Sequence, residues 1–327
     1  MVGIRLKVWH RLRSVALAIL VISAMISPAT ITSAHALTVS LNSASSNDSY
    51  AVTDWHAIAV ETLATSPRPG PVMFLDMAVV QVAVHDAVQA IDLQYEPYHM
   101  SIPGASGSPA AAASKAAHDV LVSILPGQAA SLDALYHNYF VTHGLSETDP
   151  GVSVGAMAAA GILALRANDG RVPNPLPPPF VGSTELGAWR PTPSLQPGPP
   201  PSDAPMAAPW LGTVTPFTLK SGDQYRAKAP PPLSSKRYAR DYAEVKALGA
   251  RFNSARTLEQ DQLSYFYAGN LFIQNNRVLR DIAAQHTDNI GDNARLLALG
   301  SLSIADSMIG SGISSIFCAA LDNSGRG

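Results

Sequence analysis

Apolar residues recur every three or four positions over long stretches of this chain, which is the spacing of one face of an α-helix. The clearest stripe consists of Met73, Met77, Val80, Val84, Val88 and Ile91. A shorter stripe precedes it and consists of Trp55, Ile58, Thr62 and Leu63. Pro67 and Pro69 follow the shorter stripe, and proline is unfavourable inside a helix. The pattern therefore predicts a short helix followed by a long one.

Capping signals predict three further helices before residue 171. Ser108 and Pro109 form an N-cap and first-turn pair, and the Ala-rich helix that they open ends at Pro126-Gly127. The next helix carries Leu132, Leu135 and Tyr139, with Gly144 as its C-cap. Asp149-Pro150 opens another, which closes near residues 168–170. With no alternating strand pattern, we expect an all-α protein built as a helical bundle.

The stretch from residue 173 to residue 216 holds 14 of the 26 prolines, so no regular element is expected there. One interpretation is a flexible linker. The other is an ordered segment that wraps the helical body, which Trp189, Trp210 and Phe217 favour because large aromatic side chains are costly to leave in water.

Helical periodicity returns after Ser234 and Ser235. The first helix there carries Tyr238, Tyr242, Val245, Leu248 and Phe252 on one face. A capping box at Thr257 and Gln260 opens a long helix with Leu263, Phe266, Tyr267, Leu271 and Val278. A last helix starts near Asp292 and carries Leu297, Ser301, Ile304 and Met308. After Gly310 the sequence has no clear period.

Residues 1–36 have the pattern of a signal peptide. Arg5, Lys7, Arg11 and Arg13 precede an apolar run over residues 15–26, and Ala34-His35-Ala36 supplies a small-x-small cleavage pattern. A membrane anchor is the alternative, but the run is shorter than a span and contains polar residues. We expect a secreted or periplasmic protein, cleaved near Ala36, with no stable membrane anchor after cleavage and no other spanning segment.

The composition is that of a packed globular protein, with 47% hydrophobic and 14% charged residues. The formal net charge of −2 gives no basic excess, so nucleic acid is not an expected partner. The single cysteine, Cys318, cannot form an internal disulfide, so an exported chain must rely on its apolar core.

Two His-Asp pairs, His85-Asp86 and His118-Asp119, are candidates for metal-dependent chemistry, since imidazole and carboxylate both bind divalent metals. No third and fourth ligands are evident. We favour the alternative that each pair lies at the edge of a helix core and is satisfied by neighbouring groups. Cys318 has no convincing activating base and is not assigned a catalytic role.

The other polar residues give weaker signals of function. No Gly-x-Ser-x-Gly elbow and no phosphate loop occur. Asn293, Arg295 and Asp306 fall on an otherwise apolar helix. An ion pair is the favoured interpretation, and a polar pocket between helices is the functional alternative. Four scattered acids are interpreted as lying on solvated helix faces: Glu259, Asp261, Asp281 and Asp288.

Several ordered motifs resemble vanadium-dependent haloperoxidase-like proteins, which are relatives of the type 2 phosphatidic-acid phosphatases. They are Val84-His-Asp-Ala-Val-Gln-Ala-Ile91, Ala117-His-Asp-Val-Leu121, Trp210-Leu-Gly-Thr-Val-Thr-Pro-Phe217, Tyr225-Arg-Ala-Lys-Ala-Pro-Pro-Pro-Leu233, Tyr238-Ala-Arg-Asp-Tyr-Ala-Glu-Val-Lys-Ala-Leu-Gly249, Ser254-Ala-Arg-Thr257 and Asn293-Ala-Arg-Leu-Leu297 with Ala305-Asp306. The resemblance covers residues 52–310.

The resemblance implies a fold of two helical bundles with a vanadate pocket in the second. Members of the family hold vanadate through a Lys, two Arg, Ser and backbone amides, and a His is bonded to vanadium. The bound vanadate takes up hydrogen peroxide and oxidises a halide. The phosphatase relatives bind a phosphoryl group in the same cradle. A multiply charged oxyanion needs several converging cationic donors of this kind.

The sequence departs from the family pattern at those donors. The resemblance would place a Lys-x6-Arg-Pro run, a Pro-Ser-Gly-His segment and an Arg with a distant His after Ala305-Asp306, and none of the three is present. Trp189-Arg190-Pro191 has no Lys at the required distance. We therefore assign no catalytic, cofactor-binding or metal-binding residue and expect no cofactor for this chain.

The expected organisation is a signal peptide at 1–36, a loose arm at 37–50, a first bundle at 51–171, a Pro-rich wrapping segment at 172–232, an incomplete second bundle at 233–310 and an aberrant tail at 311–327. A shifted reading frame or premature stop is our hypothesis for the tail. The expected function is that of an exported haloperoxidase-like protein, catalytically inactive as a truncation, and whether the chain is an enzyme stays open. The alternatives are a phosphatase-type relative and a non-catalytic helical protein that binds a partner. A second copy or another partner is expected to cover the incomplete bundle.

Overall fold

A computed structural model describes residues 50–324, except positions 181, 183–185, 187, 191, 194–202, 205, 207, 227, 251 and 288, and without the side chains of the two short strands or of residues beyond 312. The predicted signal peptide, the arm up to residue 49, Asp288 and the side chain of Cys318 lie outside the described part. The regular elements of the described residues are helices, apart from a two-residue antiparallel ladder between β1 (Thr192–Pro193) and β2 (Asp203–Ala204). The all-α prediction is confirmed.

The first five helices follow the predicted boundaries closely. They are α1 (Tyr50–Ala64), α2 (Gly70–Asp92), α3 (Pro109–Ile124), α4 (Ala129–His143) and α5 (Pro150–Leu165). Ser108 caps α3 by accepting from the backbone N–H of Ala111, and Asp149 caps α5 by accepting from that of Gly151. Gly144 ends α4 in the left-handed conformation, with φ of 66°. The local capping chemistry therefore acts as the sequence predicts.

Helix α2 is the centre of the molecule. Every residue from Val72 to Gln89 is buried, and α1, α3 and α5 pack around it. By length and composition α2 could cross a membrane, which the sequence interpretation did not anticipate. Its apolar residues are those of a core helix, since 94% of its most apolar window is buried inside the protein.

Part of the Pro-rich segment lies against the helical body. A 3₁₀ turn at Pro209–Thr213 packs on the last helix, and Trp210 donates from Nε1 to the carbonyl of Arg171 at 3.2 Å. Phe217 is buried, and the guanidinium of Arg166 lies 3.8 Å from the centre of its ring. Aromatic burial therefore orders this stretch in the absence of regular backbone structure.

The remaining helices are α6 (Lys236–Leu248), α7 (Leu258–Tyr267), α8 (Leu271–His286) and α9 (Ile290–Ser324). The capping box of Thr257 and Gln260 is present at the start of α7. The single long helix predicted from Thr257 is wrong, because the chain breaks between Tyr267 and Leu271. Asn270 causes the restart, since its side chain accepts from the N–H groups of Phe272 and Ile273.

Helix α9 packs along α2, and its backbone remains helical to Ser324. The loss of apolar period after Gly310 therefore does not coincide with the end of the helix. Helices α6 and α7 have no buried residue, whereas α8 buries Phe272, Asn276 and Ala283. Phe272 packs edge-on against Phe74 of α2, with ring centres 5.2 Å apart. Helix α8 is thus attached to the core, whereas α6 and α7 contribute no buried side chain to it.

Candidate functional site

A cavity of about 380 Å³ lies between the carboxyl end of α2, the loop that follows it, and α9. Residues from two separate sequence motifs meet there, the His85-Asp86 pair and the Asn293-Ala-Arg295 run. The side chains that line the cavity are His85, Tyr95, Glu96, Tyr98, Arg295, Ala298, Leu299 and Leu302. The volume is in the range of small-molecule sites.

The loop that closes the cavity is folded back by Asp86. This carboxylate is fully buried and accepts from the backbone N–H groups of Tyr98, His99 and Met100 at 2.5, 3.0 and 3.3 Å. Burial raises the pKa of Asp86, against the lowering effect of these three donors. Leu93 starts the reversal in a left-handed conformation, with φ of 55°.

His85 faces the cavity as a neutral imidazole. Its Nε2 lies 3.1 Å from the carbonyl oxygen of Glu96, which can only accept, so Nε2 carries the proton. Burial lowers the pKa of His85, and the charge of Arg295 lowers it further. Its Nδ1 is buried without a hydrogen-bond partner among the described residues. The ring therefore offers one acceptor that the fold does not use.

Arg295 is the cation of the cavity. Its guanidinium lies 4.3 Å from the centre of the Tyr95 ring, a cation–π contact. The Tyr95 hydroxyl donates to Asp292 Oδ1, and this hydrogen bond is the main reason why the pKa of Tyr95 is raised. Arg295 makes no ion pair within the described residues, so the predicted ion pair is wrong for this residue. The polar-pocket alternative is the one that the structure supports here.

Asp306 and Asn293 do not line the cavity. Asp306 accepts from the backbone N–H groups of Phe217, Thr218 and Leu219 at 2.7, 2.8 and 3.2 Å, and also from the hydroxyl of Thr218. It thereby fixes the Pro-rich segment on α9, and it has no ion-pair partner among the described residues. Asn293 Oδ1 accepts from the hydroxyl of Thr287, so it joins the start of α9 to the end of α8.

His118-Asp119 belongs to a different part of the fold. His118 lies between two carboxylates, with Nδ1 at 2.8 Å from Asp119 and Nε2 at 2.9 Å from Asp133. Lys115 also donates to Asp119, at 2.7 Å. Burial acts to raise the pKa of Asp119, but hydrogen bonds from His118 and Lys115 hold it below its usual value. The His118-Asp119 pair is satisfied by its neighbours, as favoured from the sequence, whereas His85 keeps one ring nitrogen without a partner among the described residues.

No metal centre is formed by the described residues. They contain no group of three or more His, Cys, Asp or Glu side chains that could hold an ion.

Among the acids interpreted as solvated, Asp261 is instead the partner of Arg256, with its Oδ1 at 2.8 Å from Nη2.

Sequence reasoning missed Tyr95, Glu96 and Tyr98. They follow the carboxyl end of a predicted helix, where the pattern gives no reason to single them out. The available signal was the run Tyr95-Glu-Pro-Tyr98, two aromatic residues around a proline directly after a buried helix. The described residues of the cavity combine one guanidinium, one neutral imidazole, one glutamate and two phenol rings on an apolar floor. It suits binding of a small ligand with one acceptor group better than a multiply charged anion.

The fold is similar to those of solved bacterial haloperoxidases. The chain matches a structure described as the first bacterial vanadium-dependent iodoperoxidase with a TM-score of 0.69 and 17% identity, over 82% of this chain and 69% of that one. It matches a bacterial vanadium-dependent chloroperoxidase in its apo form (TM-score 0.61, 17% identity, 77% and 64%) and in its holo form (0.60, 15%, 79% and 65%). No family model matches the sequence, and no curated protein is significantly similar to it.

The chain spans less than two thirds of the length of the two chloroperoxidase structures. It spans 69% of the iodoperoxidase structure, which is slightly more than two thirds. At this level of identity the likeness concerns the fold. The chain has a haloperoxidase-like fold, in agreement with the resemblance found in its motifs.

Proposed function

We propose that this chain is an exported protein of the vanadium-dependent haloperoxidase type that, by itself, neither holds vanadate nor oxidises halides. The fold similarity and the ordered motifs support the type, and the pattern of residues 1–36 supports export. The observation that carries the second part is the number of cations at the candidate site. Among the described residues that line the cavity, Arg295 is the one cation.

The residues of the cavity do not fit vanadate. The resemblance implies three cationic side chains around this anion, and the His85 nitrogen that carries a proton is already bonded to the Glu96 carbonyl. A guanidinium stacked on Tyr95 cannot alone balance a trianion, because unpaired buried charge is costly. We therefore derive no step of halide oxidation through these residues.

The test is vanadate uptake by the folded chain without residues 1–36. We expect no saturable binding of orthovanadate in equilibrium dialysis and no bromination of phenol red with peroxide and bromide. A bacterial vanadium-dependent chloroperoxidase assayed in parallel controls for the reagents. Saturable uptake together with bromination would overturn the proposal.

A second candidate function is the binding of a partner through α6 and α7. The observation that favours it is a set of large apolar side chains with high exposure: Tyr242, Val245, Leu258, Tyr265, Phe266 and Tyr267. Soluble proteins rarely leave this many large apolar side chains in water, and exposed apolar surface of this kind marks interaction sites. Partner binding does not depend on vanadate, so the vanadate-uptake test of the first proposal does not decide this second candidate.

A further inference from the structure

Residues 220–256 carry a positive charge that the rest of the chain does not share. This basic segment holds nine of the 22 Lys and Arg residues and three of the 24 Asp and Glu residues, in a chain whose formal net charge is −2. Its centre is helix α6, in which no residue is buried. A cationic segment on an otherwise acidic protein indicates an anionic partner.

The cations of α6 outnumber its acids, and all of these cations are exposed. They are Lys236, Arg237, Arg240 and Lys246, and the acids of the helix are Asp241 and Glu244. Asp241 lies 3.6 Å from Arg237 and 3.1 Å from Arg240, in exposed ion pairs that hold their charges weakly. The positive excess is therefore at the surface of α6 itself, where a partner can reach it.

One face of α6 is apolar. Tyr238, Tyr242 and Val245 are four and three residues apart, so they lie on the same side of the helix, and helical spacing places Arg237 and Lys246 on its two flanks. The tyrosine rings stack with their centres 6.3 Å apart, and Tyr242 and Val245 are 59% and 69% exposed. None of the helix pairs that pack extensively in the described part of the chain includes α6. Its apolar face is therefore uncovered, with cations beside it.

This combination fits a lipid surface better than other anionic partners. A helix with cations on its polar side and aromatic and aliphatic residues on the other lies in the interface of a bilayer, with the apolar side at the acyl boundary and the cations among the headgroups. A nucleic acid would bind the cations through its phosphates and leave the apolar face in water. A second copy that met α6 through the same face would bring cations against cations, which is repulsive.

We propose that α6 and its basic flanks bind reversibly to the surface of an anionic phospholipid membrane, with Tyr238, Tyr242 and Val245 inserted between the headgroups. This inference rests on the second candidate function, the binding of a partner through α6 and α7, and it names that partner. The helix lies on the membrane and does not cross it, because it has 13 residues and a span needs about 20.

Vesicle flotation tests the lipid specificity. The chain without residues 1–36 is used, because the apolar run in those residues would itself bind lipid and the described fold begins at residue 50. We expect it to bind vesicles of phosphatidylglycerol and phosphatidylcholine in equal parts at least about tenfold more strongly than pure phosphatidylcholine vesicles, with the difference shrinking as salt is added. Equal binding to the two kinds of vesicle, or binding to neither, overturns the proposal.

A charge reversal locates the contact. We expect Lys236→Glu/Lys246→Glu to weaken binding to the anionic vesicles by about tenfold or more, because two attractive charges become repulsive. Arg190→Glu/Arg277→Glu is the matched control, since it makes the same change in net charge at exposed positions outside the basic segment. Its binding should stay close to that of the wild type. An equal loss in the two variants would show that only the total charge matters and would contradict a contact through α6.

A tryptophan reporter tests the insertion of the apolar face. Val245→Trp places the indole on this face, and Val141→Trp places it on α4, where Val141 is 81% exposed. Phosphatidylglycerol with brominated acyl chains quenches an indole that enters the bilayer. We expect vesicles of this lipid to quench Val245→Trp more strongly than Val141→Trp, against the same background of native tryptophans. The same quenching in both variants means that the α6 face does not insert, and the proposal then fails.

The outcome is separable from that of the second candidate function. Self-association that is lost on substitution of the α6 face, without any binding to vesicles, would assign this face to a second copy of the chain. Partner binding through α6 and α7 would then stand, and the lipid proposal alone would be overturned. Binding of a duplex oligonucleotide in place of the anionic vesicles would assign the basic segment to a polyanion, with the same consequence.

Discussion

At the scale of single residues, His56 shows how burial sets the protonation state of a side chain. It has no exposed surface, and its Nδ1 lies 3.1 Å from Nη1 of Arg280, which joins α1 to α8. A guanidinium can only donate, so Nδ1 is the acceptor and the ring is neutral. Burial lowers the pKa of His56 well below its usual value, and the charge of Arg280 lowers it further.

This shift predicts a pH-dependent loss of stability. In the unfolded chain the ring takes up a proton below about pH 6.5, and in the folded chain it does not. The free energy of unfolding should therefore fall as the pH drops below about 6.5, by up to about 1.4 kcal/mol per pH unit for this one proton, until the folded pKa is reached. Urea denaturation measured between about pH 7.5 and 5 gives the slope.

The variant His56→Asn isolates the contribution of this residue, since Asn retains an acceptor for Arg280 and does not titrate. His85, whose pKa is also lowered, and Asp54, Asp76 and Asp86, whose pKa values burial raises, are common to both proteins. We expect the wild type to lose more stability than the variant across this range. Parallel curves would show that His56 is protonated in the folded state.

Residue-scale prediction from sequence succeeded where the role of a side chain is local. Asp149 and Ser108 cap their helices as expected. It failed for Arg295 and Asp306, because their partners are a tyrosine ring and a loop that are distant in sequence. The packing of α9 on α2 brings Arg295 to Tyr95, and the packing of the Pro-rich segment on α9 brings Phe217 to Asp306.

At the scale of elements, α3 and α5 approach each other unusually closely. Helix α3 presents Ala residues, and α5 presents Gly151, Gly155 and Ala158. A Cβ added at Gly155 would lie 2.3 Å from the carbonyl oxygen of Ala112, which is backbone and cannot rotate away. Small residues at this contact allow the two helix backbones to pack against each other.

We expect Gly155→Ala to reduce the free energy of unfolding by about 2 kcal/mol, because overpacking forces the helices apart. The matched control is Gly127→Ala, where the added Cβ meets no atom within 4 Å and the change should stay within about 0.5 kcal/mol. Chemical denaturation of the two variants measures the difference. Equal stability of the two would mean that α3 and α5 adjust without cost.

At the scale of the whole molecule, the uneven distribution of apolar surface stands out. The core around α2 is densely buried, whereas Val245 on α6 and Tyr265 on α7 are 69% and 75% exposed. Apolar faces of this extent favour association or binding of apolar probes. The sequence predicted that the apolar faces of the 257–284 and 292–309 helices would lack partners. The exposure of Tyr265 agrees with this prediction for α7, but the prediction is wrong for α9, which buries Leu297 and Ile309 and packs on α2.

We expect the double variant Val245→Glu/Tyr265→Glu to show weaker fluorescence of a bound naphthalene sulfonate dye and less self-association in sedimentation velocity, with an unchanged melting temperature. Val141→Glu is the control, since Val141 is 81% exposed on α4, outside this face. Equal dye binding by the wild type, the double variant and Val141→Glu would show that the exposed side chains of α6 and α7 do not bind the dye.

The sequence by itself determined the helical class, the boundaries of the first five helices and the resemblance to haloperoxidases, because apolar period and capping act over a few residues. It did not determine the break at Asn270, the helical backbone beyond Gly310 or the placement of His85 beside Arg295. The tertiary structure decided these, since they depend on which helix faces meet. The ion pair of Asp76 with Arg171 has the same origin, because the two residues are 95 positions apart in sequence and only the folded core brings them within ion-pair distance.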